Sequence, residues 1–310
     1  MARKESQLRN EIVRAGRLMY EKGLISSSEG NISALMDSDR ILVTPSGLHK
    51  GFLEPRQLLI VDRDGQQIGP RVGAARDLKP TSELPLHLEV YKERKDVTSV
   101  VHAHPPVTIA LSIAGIPMAE CLLPEVIVFL GLIPTVAYET PGSADFALAV
   151  RQLISNHDAL ALERHGAVTV GSTPMEGFMR MEIVEQNARI SFMLAQLGTY
   201  KPLAAGEVEK LLKQREKMGL CKPGESTEFC QSCGVCHLET GHLPTMRPSY
   251  KNLAGQSGEF VSGRSAVNVA RGPDFPGGLQ DLPPIKSRFV GEDEIRKLVR
   301  KVVETTIGQS

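Results

Sequence analysis

Between Val97 and His104 the chain runs Val-Thr-Ser-Val-Val-His-Ala-His, a β-branched stretch bounded by charge before it and by Pro105 after it. Such a run reads as a strand. Successive side chains along a strand point to opposite faces, so His102 and His104 share one face and offer two imidazole nitrogens with little rearrangement. A second strand-like run, Ala159–Leu162, is followed closely by His165, which can supply a third nitrogen. Three protein ligands with an open fourth position is the catalytic rather than the structural pattern for zinc. Taken alone, a His-x-His pair is more often two surface or cleft histidines with no metal, and the rest of the chain has to decide.

Helical and strand periods alternate through the first two thirds of the sequence. Leu8, Ile12, Ala15 and Met19 are spaced for one apolar face of a helix over Ser6–Lys22, ended by Gly23. Short strands are expected at Asn31–Met36, Arg40–Thr44 and Leu58–Asp62, separated by Asp/Ser and Pro/Gly turns. Ser82 is a candidate cap for a helix reaching Lys95, with Leu84, His87, Leu88 and Tyr91 as its buried stripe and His87 as a packing histidine. Then come a helix near Val107–Ala114, strands near Ile127–Phe129 and Thr135–Tyr138, and a helix at Ser143–Ser155. Strands follow at Ala159–Leu162 and Ala167–Val170, and a long helix, Pro174–Leu197, has proline at a tolerated first-turn position. Mixed elements of this length imply a layered α/β sandwich.

Three turns could approach a ligand closely. Gly30-Asn31 combines a permissive backbone with an amide, Thr44-Pro45-Ser46-Gly47 is a second tight turn, and Thr81-Ser82 at a helix start adds hydroxyls and amides suited to a phosphate. Each alone is also explained by plain loop geometry. Glu83 follows directly, where a carboxylate can simply complement a helix dipole.

Taken in order, Glu29-Gly30-Asn31-Ile32-Ser33, Thr44-Pro45-Ser46-Gly47, Pro80-Thr81-Ser82-Glu83, His102-Ala103-His104 and His165-Gly166 resemble the class II aldolase/adducin family, in particular L-fuculose-1-phosphate aldolase and its relatives. The resemblance covers about Leu8 to Leu197. It implies an α/β fold, a three-layer α/β/α sandwich around a central, mainly antiparallel sheet, assembled as a homotetramer with sites between subunits. It implies one Zn2+ or other divalent metal per chain on His102, His104 and His165, with Gly30, Asn31, Ser46, Gly47, Thr81 and Ser82 holding a substrate phosphate. Glu83 would move the proton at the reacting carbon. The implied reaction cleaves an L-fuculose- or L-rhamnulose-1-phosphate type of ketose 1-phosphate to dihydroxyacetone phosphate and lactaldehyde through a metal-stabilised enediolate. The family's tyrosine after Ile116-Pro117 is replaced here by Glu120-Cys121-Leu122-Leu123-Pro124-Glu125. Glu125 falls about where the family's pentulose-5-phosphate 4-epimerases place an acid, and serves equally as a capping or salt-bridged residue. The 4-epimerase and an adducin-like, non-catalytic assembly module are therefore the alternatives. The intact Glu83, His102, His104 and His165 speak against the second.

The chain changes character after this region. Residues 1–220 form the expected catalytic domain, closing with a helix at Glu207–Met218; 221–290 is a Gly/Pro-rich extension without periodicity; and 291–310 regains an amphipathic pattern through Ile295, Leu298, Val299, Val302, Val303 and Ile307. In the extension, Cys230, Cys233, Cys236 and His237, with Cys221 upstream, could form a second metal site or remain thiols. A short amphipathic segment on a long tether resembles encapsulation peptides, which implies a bacterial-microcompartment shell protein as partner; a terminal helix docked on the catalytic domain and a membrane-surface helix are the alternatives. Net charge is zero, with 36 basic and 36 acidic residues, so no nucleic-acid footprint or membrane patch is indicated. No signal peptide or membrane span is visible, and the expected location is cytoplasmic or inside a microcompartment.

Overall fold

The computed structural model describes residues 5–69, 73–118, 121–197, 201–222, 225, 228 and 229. Glu120, Cys230, Cys233, Cys236, His237 and the whole of 291–310 lie outside the described residues. Helix α1 (Glu5–Glu21) buries Leu8, Ile12, Ala15 and Met19, the stripe expected from their spacing. Strands β1 (Asn31–Leu35), β2 (Ile41–Val43), β3 (Leu59–Val61) and β4 (Gln67–Ile68) follow as an antiparallel meander. Helix α2 (Leu84–Glu93) precedes β5 (Ser99–Ala103), and α3 (Pro106–Ala114), α4 (Pro124–Phe129), β6 (Thr135–Val136) and α5 (Ala144–Ile154) come next. Strands β7 (Ala159–Leu162) and β8 (Gly166–Gly171) lead to α6 (Pro174–Leu197) and α7 (Ala205–Lys217).

Among the described residues the strands form one eight-stranded sheet in the order β4-β3-β2-β1-β5-β8-β7-β6, antiparallel except for the β6–β7 edge pair. Alternation along the central strands builds two cores. Val101 and Ala103 of β5, Ala159 and Ala161 of β7, and Ala167 of β8 pack with α1, α3 and α6 on one face. Val100, Leu160, Leu162, Val168 and Val170 pack with α2 and α5 on the other. The small alanines on the first face let the long α6 lie close against the sheet, whereas leucine and valine fill the second. The result is the expected α/β/α sandwich.

Two local expectations fail. The run Ile127–Phe129 is not a strand but the end of α4, with Pro124 at its first turn and Val126, Ile127 and Val128 buried. A short apolar β-branched run cannot be told from a buried helix by periodicity, and packing against α7 decides it. Ser82 does not cap α2: Glu83 occupies the cap position, makes no side-chain cap bond, and Ser82 is exposed. Beyond residue 220, Phe229 joins the apolar cluster of α4 and α7, and Glu225 pairs with the buried Arg215 at 3.0 Å.

Candidate metal centre

β5 lies in the middle of the sheet, and its C-terminal end delivers His102 and, one residue past the strand, His104. The β7–β8 turn delivers His165 beside them. That turn is tight because Gly166 adopts φ +146°, and a Cβ there would sit 2.1 Å from the Ala103 carbonyl oxygen. Gly30, at φ +69°, lies against the other side of the same strand end, since its Cβ would meet the His102 carbonyl oxygen at 2.9 Å. Two glycines thus allow backbone on both flanks of the His102–His104 segment to close in. The three imidazole centroids form a near-regular triangle with separations of 4.7, 4.8 and 4.9 Å.

Glu83 enters this triangle from the start of α2. Its Oε2 lies 3.2 Å from His102 Nε2 and its Oε1 lies 3.1 Å from His165 Nε2. Glu83, His102, His104 and His165 each offer one ligand atom, and the four atoms lie within 4.8 Å of one another. His102 Nδ1 donates to the Ala167 carbonyl at 2.9 Å, which fixes its tautomer and turns the Nε2 lone pair inward. There it faces His104 Nε2 at 3.0 Å. Glu83 Oε1 is buried without a hydrogen bond. Three converging imidazoles are the donor set that a divalent cation satisfies, and the orphaned carboxylate oxygen beside them sets a negative charge next to it.

Electrostatics follow from this crowding. Burial raises the Glu83 carboxyl, but the neighbouring His102 and His165 outweigh it and hold the group well below the usual carboxylate range. His104 is pulled down to about 3 by burial, with His102 and His165 adding to the effect. It is therefore neutral at ordinary pH, as a ligand imidazole has to be.

A polar relay supports Glu83 from behind. Asn31, the first residue of β1, donates from Nδ2 to Glu83 Oε2 at 2.7 Å, and its Oδ1 accepts from His87 Nε2 at 2.6 Å. Ser33 Oγ lies 2.7 Å from both His87 Nδ1 and Tyr91 OH. One set of directions satisfies every member: Tyr91 donates to Ser33, Ser33 to His87, His87 to Asn31, and Asn31 to Glu83. Burial pushes His87 down to about 3, which keeps it in the neutral form this relay requires. His87, expected from its spacing to be a packing residue, is instead a hydrogen-bonding member of this relay together with Ser33 and Tyr91, whose parts the sequence does not show outright. The available signal was the spacing of Glu83, His87 and Tyr91, three polar residues four apart on one helix face.

The segments expected to hold phosphate are brought together. Thr44–Ser46 and Lys79–Thr81 pair across the bridge Pro45–Pro80, with Ser46 N donating to Lys79 O at 2.9 Å and Thr81 N to Thr44 O at 3.2 Å. Ser46, Gly47 and Ser82 are exposed at this junction, while Gly30, Asn31 and Thr81 are buried beside it. Glu125 is placed differently. It sits exposed on α4, lining a groove with Phe129 and with Met179 and Ile183 of α6, and the four-residue cluster does not include it.

Fold and cluster together define a sandwich enzyme whose strand ends converge on a metal-type histidine triad, and comparison with known proteins agrees. Residues 10–192 match the family described as the class II aldolase and adducin N-terminal domain, and the chain belongs to that family. It is 30% identical to the 3-oxo-tetronate 4-phosphate decarboxylase of Escherichia coli (strain K12) over 68% of this chain and 97% of the relative. It is 33% identical to the L-fuculose phosphate aldolase of Methanococcus vannielii over 59% of this chain and 95% of that one. The crystal structure of YgbL from Escherichia coli superposes with a TM-score of 0.61 at 30% identity, covering 67% of this chain and 99% of its own. The chain is thus a metal-dependent enzyme of the class II aldolase type. Among the described residues no helix is long and apolar enough to cross a membrane.

Proposed function

We propose that this enzyme cleaves a carbon–carbon bond in a phosphorylated sugar derivative, with a ketose 1-phosphate of the L-fuculose or L-rhamnulose type as substrate and dihydroxyacetone phosphate and lactaldehyde as products. The observation that carries this reading is the convergence of Glu83 with His102, His104 and His165 around one point. A divalent cation held by the three histidines, zinc being the first expectation, supplies polarisation of the substrate carbonyl and its neighbouring hydroxyl. The exposed hydroxyls of Ser46 and Ser82, with Gly47, cradle the phosphate and fix the three-carbon unit in place. When the C3–C4 bond breaks, its electron pair stays with that unit as an enediolate. The C4 hydroxyl gives up its proton as it becomes the aldehyde carbonyl, and Glu83, ionised at rest, takes up a proton and passes it to the enediolate to complete dihydroxyacetone phosphate. Asn31 holds Oε2, so Oε1 is the atom that carries this proton.

A second reading is favoured by the Escherichia coli relative. Loss of carbon dioxide from a 3-oxo-tetronate 4-phosphate leaves its bonding pair on the same three-carbon enediolate, and the same Glu83 proton completes the product. Only the departing group differs. A panel of ketose 1-phosphates, 3-oxo-tetronate 4-phosphate and a pentulose 5-phosphate, followed by coupled detection of dihydroxyacetone phosphate and by product chromatography, separates the readings. Dihydroxyacetone phosphate with lactaldehyde supports the aldolase, and with carbon dioxide the decarboxylase. An inverted pentulose phosphate without fragments points to the 4-epimerase instead. The homotetramer and a shell-protein role for 291–310 belong to the same proposal. Sedimentation tests the first, and packaging of a fluorescent protein fused to 289–310 tests the second.

A further inference from the structure

Lys50 opens the single turn Lys50–Phe52 and is 2% exposed. Its ammonium donates to the Ser28 carbonyl at 2.6 Å and to the Leu48 carbonyl at 2.7 Å. Among the described residues no carboxylate lies within ion-pair distance of it. A buried ammonium is ordinarily paired with a carboxylate, and one held only by carbonyls retains most of its charge for something else. The two carbonyls are informative. Ser28 lies in the loop that leads to Gly30 and Asn31, and Leu48 follows the exposed Ser46-Gly47 turn. One buried cation therefore ties together two loops that meet at the candidate centre, and neither contributes an arginine or another lysine of its own.

We propose that Lys50 is a positioning and charge-complementing residue for a phosphate dianion, holding the Ser28–Asn31 loop and the Ser46–Leu48 turn at fixed spacing and placing a positive charge behind them. This rests on the assignment of those loops to the substrate phosphate. Serine hydroxyls can orient a dianion, but they are neutral. The buried cation offsets the cost of taking the dianion out of water. Burial draws the Lys50 amine down to about 8, with the charge of Glu83 opposing the shift. Its charge is also felt by His104. On the α1 side the turn meets Tyr20 and the backbone at Gly16, and on its own turn His49 caps the Gly51 amide.

The test is calorimetric titration of inorganic phosphate into the full-length, metal-loaded protein and its Lys50→Met and Lys50→Gln variants, with metal content measured alongside. Both variants are expected to keep their metal and to bind phosphate at least about tenfold more weakly. Wild-type affinity should fall as pH rises through the Lys50 titration, which burial sets below the ordinary lysine range, and Lys50→Gln should lack that increment. A merely structural lysine would not produce that profile, and the wild-type measurement needs no variant to fold. Wild-type affinity in a folded Lys50→Gln protein, or a flat wild-type profile, overturns the proposal while leaving the cradle assignment standing. Absence of any phosphate binding by the wild type overturns the cradle assignment, and the role of Lys50 with it.

Discussion

Glu83 and Asp158 are both buried carboxylates, at 8% and 4% exposure, and both are held below the usual carboxylate range, yet their surroundings are opposite. Asp158 is met by fixed cations: Arg94 at 2.8 Å, Arg180 at 3.3 Å, and Lys222. Arg94 in turn donates to the carbonyls of Ile154 and His157. Every charge in that knot is answered by the chain itself. Glu83 is surrounded by imidazoles, which can be neutral, and one of its oxygens has no hydrogen bond. Burial and a shifted pKa therefore do not distinguish a working site from a structural one. The identity of the surrounding donors does.

The largest expected effect falls at the imidazoles. His102→Ala should lose both bound metal and turnover, whereas Asp158→Asn should keep its metal near one per chain. Metal analysis belongs in a background with Cys230, Cys233 and Cys236 changed to Ser, so that those thiols cannot contribute; truncation at 220 would remove Phe229 and Glu225 from their packing. A His102→Ala protein with full metal content and turnover would sink the assignment. Next comes Glu83→Gln, which should retain the fold and the metal but lower kcat by roughly a hundredfold or more, the usual scale for a lost general acid or base. Near-normal turnover would transfer the proton to another group.

These two sites differed in how far the sequence exposed them. His102, His104 and His165 were readable because strand alternation and two short motifs fix them locally. Glu83 was readable by its place in Pro80-Thr81-Ser82-Glu83. The Asp158 knot was not, because Arg94, Arg180 and Lys222 come from three distant segments and no local period links them. The relay through Asn31 and His87 was hidden for a related reason. His87 lies on an apolar helix face, and only the register Asn31↔His102 between β1 and β5 brings Asn31 to it. Lys50 gave no signal, since a lysine in a turn is ordinarily solvated. The strand misread at Ile127–Phe129 shows the limit for short apolar runs, where tertiary packing rather than sequence chooses the backbone.

The Asp158 side of the comparison predicts stability effects without catalytic ones. Removing one partner of a buried charge network costs about 3–5 kcal/mol, so Asp158→Asn should lower the denaturation midpoint clearly while leaving kcat per folded molecule unchanged. Acid should expose the same term. Burial raises the Asp158 carboxyl, but Lys222 and Arg180 bring it down to about 2, below its ordinary value of 3.8. A group with a depressed folded pKa stabilises above its unfolded pKa and loses that contribution as pH falls through the folded value. The wild type should therefore lose on the order of 2 kcal/mol between about pH 4 and pH 2 from this residue, and the Asn variant should lack that increment. Equal acid slopes for the two proteins would place the stabilisation elsewhere.

The smallest effect should come from the relay behind Glu83, where structure and chemistry meet. His87→Phe fills most of the same space but leaves Asn31 Oδ1 and Ser33 Oγ without their partner. The Asn31 amide then has no reason to keep its Nδ2 on Glu83 Oε2, and the carboxylate loses its fixed angle toward the centre. Loss of such an outer hydrogen bond costs roughly tenfold to a hundredfold in metal affinity or activity, well short of removing a ligand. kcat should fall by more than KM rises, because Ser46, Gly47 and Ser82 keep their surroundings and only the Asn31 amide is released. His87→Gln, whose amide can both donate to Asn31 and accept from Ser33, should recover part of the loss. His87 stays neutral down to about pH 3, so the acid limb of the activity profile should be the same in wild type and in His87→Gln. A His87→Phe protein with unchanged kcat would reduce His87 to core packing, and an acid limb that moves with the Gln change would show that its protonation, rather than its hydrogen bonds, matters to Glu83.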